Sequence, residues 1–212
     1  MPVKQGIAAI AIAVALSGCA GERVWAPDEA VQAARYAPGG QPELMLITSI
    51  NDRSGEGAHS ALVINASERV LFDPAGNWDS RYAPERNDVR YGFTPQMQAS
   101  YFAFQSHGPY HAVIQRIPVS GEAAELALQL AKSNGPVPDA FCASATSGIL
   151  RQLPGFGNVT STMFPRRLME SVADMPGVQT TVEFGSPDEA DPNRVPKMSP
   201  VIVAATGIRP GA

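Results

Sequence analysis

Residues 57–73 read GAHSALVINASERVLFD, two apolar and branched runs around a short polar break. Ser60–Asn65 and Arg69–Asp73 carry the Val, Ile, Leu and Phe content of strands, and the break between them suits a tight hairpin. A three-residue loop, Asn65-Ala66-Ser67, sets Ile64 opposite Glu68. Counting five residues back and five forward then makes His59 and Asp73 direct cross-strand neighbours, with Cβ atoms about 5 Å apart. A two-residue turn would put them on opposite faces instead.

Further strands and helices follow on both sides. Glu43 to Ile50 suits a buried strand, and Asn51 to Gly57 is turn-rich. Asp73-Pro74-Ala75-Gly76-Asn77 stops the second hairpin strand, and Trp78 to Phe93 reads as irregular and polar. Pro95 to Gln105 is expected to be helical, and Tyr110 to Val119 a strand. Ser120 to Asn134 carries the plainest helix pattern: Ser120 as N-cap, Glu122 and Glu125 in the first turn, and an apolar face through Ala124, Leu128 and Ala131. A second helix runs from Asp139 to about Leu153, a third over Pro165 to Ala173, and a last strand over Val178 to Phe184. Strands and helices come in clumps, which predicts an α+β fold with an antiparallel sheet packed against helices. The divisions expected are a leader at 1–18, a tether at 19–42 with a short helix over Pro27 to Tyr36, a domain at 43–184 and a tail at 185–212. Prolines 187, 192, 196, 200 and 210 break up that tail, leaving one short strand candidate at Val201 to Ala205.

Composition narrows the function classes. The 212 residues are 44% hydrophobic and 17% charged with a net charge of −4, too apolar for a disordered chain. Lys and Arg form no cluster, so the footprint of a nucleic-acid binder is missing. No apolar run reaches the roughly 18 to 20 residues of a spanning helix.

Lys4 followed by the apolar stretch Ile7 to Leu16 has the layout of a signal peptide. Its end, Leu16-Ser17-Gly18-Cys19, resembles the lipobox of bacterial lipoproteins. That resemblance implies cleavage before Cys19, lipid on the Cys19 sulfur and acylation of the new amino terminus. The acyl chains would hold the protein to a membrane, and Ala20 after the cysteine places it on the periplasmic face of the outer membrane. A plain secretory signal is the alternative. With Cys19 lipidated, Cys142 is the one remaining thiol in an oxidising compartment and can form no internal disulfide.

Asp139 is a natural N-cap and puts Cys142 in the first turn of its helix. There the unpaired amides and the helix dipole stabilise a thiolate and can hold an oxyanion. Cys142 also shares a stripe with Ala145, Ile149 and Leu153, so a buried packing role stays open. A thiol nucleophile needs a base and a group to orient it. His59, next to the small Ala61 on its strand face, is the candidate base and Asp73 the orienting carboxylate. His107 and His111 have a zinc-like spacing, but Gly108-Pro109 forbids the helix that would align them. There is no Gly-x-Ser-x-Gly, Ser-x-x-Lys, phosphate-loop or His-Glu-x-x-His motif, and no cofactor is expected.

His59 on a strand, Asp73 at the end of the next and a distant Cys142 opening a helix resemble, in that order, the circularly permuted NlpC-type papain-like proteins. That superfamily includes the lecithin:retinol acyltransferase-like enzymes. The matching parts are Gly57 to Gly76 and Phe141 to Leu153. The resemblance implies a papain-like core in permuted order, with Cys142 as nucleophile, His59 as general base and Asp73 as its orienting residue. It further implies a monomeric cysteine hydrolase or acyltransferase acting on a cell-wall peptide or a lipid acyl group. The competing expectation is a non-catalytic lipoprotein that binds a peptide, glycan or protein partner.

Overall fold

The computed structural model describes residues 21–185. The expected leader, the lipidation site Cys19 and the strand at Val201 to Ala205 lie outside the described residues.

Along the chain run α1 (Asp28–Ala34), β1 (Glu43–Asn51), β2 (Gly57–Asn65), β3 (Arg69–Phe72), β4 (Glu85–Arg86) and β5 (Val89–Tyr91). Then come α2 (Pro95–Gln105), β6 (Tyr110–Pro118), α3 (Gly121–Ser133), α4 (Cys142–Leu150), α5 (Pro165–Ala173) and β7 (Gln179–Phe184). The strands form one sheet in the order β4-β5-β3-β2-β1-β6-β7, with every neighbouring pair antiparallel. The fold is α+β.

Period-two alternation splits the central strands between two cores. Leu44, Leu46, Leu62, Ile64 and Phe72 face α3, α4 and α5. Met45, Ile47, Ala61, Val63 and Leu71 face α2 and the buried rings of Trp78, Phe93 and Tyr101, which pack edge to face at 5.4 to 6.4 Å. The sheet is thus covered on both sides, which is why β1 reads as a continuous apolar run rather than an alternating one. Capping fixes the helix starts. Thr94 accepts from the Met97 amide with Pro95 in the first position of α2, and Ser120 accepts from the Ala123 amide at α3.

Two expectations are corrected. The loop between β2 and β3 is Ala66-Ser67-Glu68, so Asn65 faces Arg69 and the register lies two residues from the one expected. An even shift preserves faces, so His59 and Asp73 stay on one side of the sheet as diagonal neighbours instead of direct ones. The stretch 78–93 is not merely irregular and polar: it holds the β4–β5 hairpin and the buried Trp78, Ala83, Val89, Tyr91 and Phe93. Its strands are too short to show a period. The hairpin turns on Asn87 and Asp88 alone, both with positive φ (44° and 67°), the signature of a type I′ turn that Asn and Asp tolerate. The preceding segment is fastened to this hairpin, where Asn87 N–H donates to Val24 O at 3.0 Å and Ala26 N–H to Glu85 O at 2.9 Å.

Candidate active site

The site begins with a strand that outlasts its neighbour. β2 pairs with β3 only from Leu62, opposite Phe72, onward. Ala66 N–H donates to Glu68 O across the turn, so alternate β2 amides back from it, at 64, 62 and 60, point toward β3. The position opposite Ser60 falls on Pro74, beyond the end of β3. The Ser60 amide therefore faces a gap in the sheet. On its other side β2 bulges: Ser49 faces His59 but Ile50 faces Gly57, leaving Ala58 as the extra residue. At Gly57 a Cβ would sit 2.5 Å from the Arg166 nitrogen, so only glycine lets the front of α5 close against the strand.

Into the gap comes the front of α4. Its first residue is Cys142 and its cap position is Phe141, without a side-chain cap. Asp139, expected as the cap, is instead the second residue of a tight turn that Phe141 N–H closes onto Pro138 O at 3.2 Å. Pro138 fixes that turn and Ala140 completes it at φ +68°, so the helix cannot begin earlier. The helical ladder opens with Ala145 N–H donating to Phe141 O, which puts the amides of residues 142–144 ahead of it.

Cys142 is buried, and its sulfur interacts with the His59 imidazole and with the Ser60 amide and hydroxyl. Consecutive strand residues point to opposite faces, so one atom touching both side chains must stand at the edge of the gap. Burial by itself would push the thiol pKa up. The hydrogen bond and charge of His59, with the Ser60 contacts, outweigh it and hold the thiol below its ordinary value. For His59, burial would lower the pKa, but hydrogen bonds and attraction from Asp73 and Cys142 raise it to about 10. The pair titrates as a unit and favours thiolate and imidazolium.

The ring is held from behind. His59 Nε2 donates to Asp73 Oδ1 at 2.7 Å, which leaves Nδ1 for the sulfur. The same Oδ1 accepts the hydroxyl of Tyr101 at 2.5 Å, a fully buried side chain of α2 whose oxygen also bonds to the Gln105 side chain. Burial first, and then the Asp73 charge, push the Tyr101 pKa far up, so it stays a donor. At Gly76 a Cβ would lie 2.1 Å from Asp73 Oδ2, so glycine there is what admits the carboxylate. His59 keeps 17% side-chain exposure against 2% for Asp73, so the imidazole can be reached while the carboxylate behind it cannot.

The structure thus brings His59, Asp73 and Cys142 together. Tyr101, Gln105 and Ser60 were missed from sequence. The available signal was the spacing of Met97, Tyr101 and Gln105 along one buried stripe of α2, two of them polar. No group of three or more His, Cys, Asp and Glu suited to a metal ion occurs among the described residues. His111 is buried with Nδ1 2.5 Å from Asp52 Oδ1. Among the described residues no helix is long and apolar enough to cross a membrane. No family model, curated protein or solved structure matches the chain.

Proposed function

We propose that this protein is a cysteine hydrolase or acyltransferase of papain-like type in permuted order, lipid-anchored through Cys19 to the bacterial cell envelope. The observation that carries the reading is the continuous contact from Cys142 through His59 to Asp73 at the front of a helix. The Cys142 thiolate attacks the carbonyl carbon of an amide or ester. The new oxyanion meets the amides that open α4, and the His59 proton passes to the leaving nitrogen or oxygen. The resulting thioester is released when water or another acceptor, deprotonated by His59, attacks it. An anchor on the periplasmic face makes cell-wall peptides the favoured substrate and lipid acyl groups the alternative.

Alkylation tests the reading. Cys142 should react with iodoacetamide at pH 6 well faster than a model thiol, and Cys142→Ala should abolish turnover of peptidoglycan fragments or acyl esters. A rate equal to that of a free thiol sinks the proposal and leaves a binding protein on the same fold.

A further inference from the structure

The two halves of the site come from distant parts of the chain, His59 and Asp73 from the β2–β3 hairpin and its end, and Cys142 from the front of α4. We propose that Asp88, at the tip of the β4–β5 hairpin, is a positioning residue that locks the loop carrying Asp73 to the loop leading into Cys142. The inference rests on the hydrolase reading above and assigns a role to a residue outside the triad.

Asp88 bonds to both loops at once. Its main-chain carbonyl accepts the Asp73 N–H at 2.8 Å, fixing the backbone of the orienting acid. Its Oδ2 accepts the Val137 N–H at 2.7 Å, five residues ahead of Cys142, and its carboxylate also takes the Ala75 amide. The Asp88 N–H is itself held by Glu85 Oε1 at 3.2 Å. Asp88 is the second central residue of the type I′ turn, outside the paired residues of the hairpin. Pro136 and Pro138 flank Val137 and have no N–H, so the Val137 amide is the donor this stretch can offer. Moving that amide moves the Pro138–Phe141 turn and with it the sulfur.

The clamp is an ionised carboxylate in a poor place for one. Burial first, and then the charges of Glu85 and Asp73, raise its pKa to about 6 against the pull of the Val137 and Ala75 amides. Below that pH the carboxyl is protonated, the charge-assisted bonds to the two loops weaken, and the sulfur and imidazole lose their alignment.

The test is alkylation of Cys142 by iodoacetamide in the full-length protein between pH 4.5 and 9, read at the Cys142 peptide by mass spectrometry. Wild type should show an inflection near the Asp88 pKa, beyond any acid limb of the ion pair. In Asp88→Asn, which keeps the shape but never ionises, the inflection should vanish and the rate at pH 7 fall about tenfold, as for a lost charge-assisted hydrogen bond. A purely structural role would lower the melting temperature and leave the shape of the pH profile alone. An activated wild-type thiol whose profile superimposes on that of Asp88→Asn overturns the clamp while leaving the hydrolase reading intact. A wild-type thiol no faster than a free one overturns both. Should Asp88→Asn fail to fold, hydrogen exchange in wild type decides. Protection of the Val137 and Ala75 amides, the two bonded to the carboxylate, should drop as pH falls through about 6 while β1 amides hold. Constant protection overturns the proposal.

Discussion

Two histidine–aspartate pairs, one half-buried and one fully buried, sit at the same end of this sheet. His59 faces Ser49 and His111 faces Ile50, adjacent residues of β1, so the two rings lie on opposite faces. In both, a ring nitrogen meets a carboxylate oxygen within hydrogen-bond distance, 2.7 Å to Asp73 and 2.5 Å to Asp52. Their surroundings differ. His59 lies beside the gap beyond β3 and meets a thiol, whereas His111 is enclosed between β1 and β7 with its ring 5.4 Å from that of Phe184. Side-chain chemistry is shared between the pairs. A missing stretch of neighbouring strand is what opens one of them to a thiol.

The sharpest way to break the comparison is to remove the thiol. Cys142→Ser should cost at least about a thousandfold in turnover with little change in melting temperature. Next come the histidines themselves. His59→Asn should slow alkylation of Cys142 at pH 6 by about a hundredfold, because the thiol loses the partner that lowers its pKa. His111→Asn should leave the alkylation profile in place and cost about 3 kcal/mol of stability in denaturant unfolding, the effect of stranding a buried partner. If both variants change both readouts alike, the division into a chemical and a structural pair is wrong.

Stability against pH sharpens the same point. The His59 pKa is raised from 6.5 to about 10, so its contribution is complete below 6.5 and is lost as pH rises through 10. The Cys142 pKa is lowered from 9.0, so its contribution is complete above 9.0 and is lost as pH falls through its folded value. The two changes offset each other at neutral pH and leave a net loss above pH 9. Melting curves from pH 8 to 10.5 should show a larger fall in wild type than in the double variant His59→Asn/Cys142→Ser, which carries neither titrating group.

Smaller effects belong to the scaffold behind His59. Asp73→Asn should lower kcat by roughly tenfold to a hundredfold, since the ring loses its orientation and a charge that favours the imidazolium. Tyr101→Phe keeps the packing against Trp78 and Phe93 and removes only the hydroxyl on Asp73 Oδ1. A few-fold loss in kcat at constant KM is expected, as for one neutral hydrogen bond.

How much of this was legible in the chain follows from range. The α+β class, the helices over 95–105 and 165–173 and the place of Cys142 at the front of a helix are local features that periodicity and turn chemistry report. The shared face of His59 and Asp73 was legible because any even register error preserves it, although the turn itself was placed one residue early. Tyr101 was not, since nothing in a helix sequence says which carboxylate its hydroxyl will meet across the core. Nor was the hairpin at 85–91, whose strands of two and three residues are shorter than any period can reveal. The start of α4 was misjudged because Asp139 suits a cap and a turn equally well, and the two prolines before it favoured the turn.

The two pairs differ also in what occupies their left-handed positions. Beside Asp52 and His111 these fall on Gly55 and Gly108, at φ 73° and 61°, where no side chain resists. Beside Asp73 and Cys142 they fall on Ala75 and Ala140, at φ 54° and 68°, each two residues away in sequence. An L-residue held there costs about 1 to 2 kcal/mol, so the site carries strain that the structural pair avoids. Relief by glycine is partly cancelled by the added freedom of the unfolded chain, about 0.4 to 1 kcal/mol. Ala140→Gly should therefore raise stability by at most about 1.6 kcal/mol while slowing Cys142 alkylation, because the turn that aims the helix front gains freedom. A variant equally stable and equally reactive would mean that these alanines are incidental, and that the hydrogen-bonded clamp of Asp88 alone holds the sulfur in place.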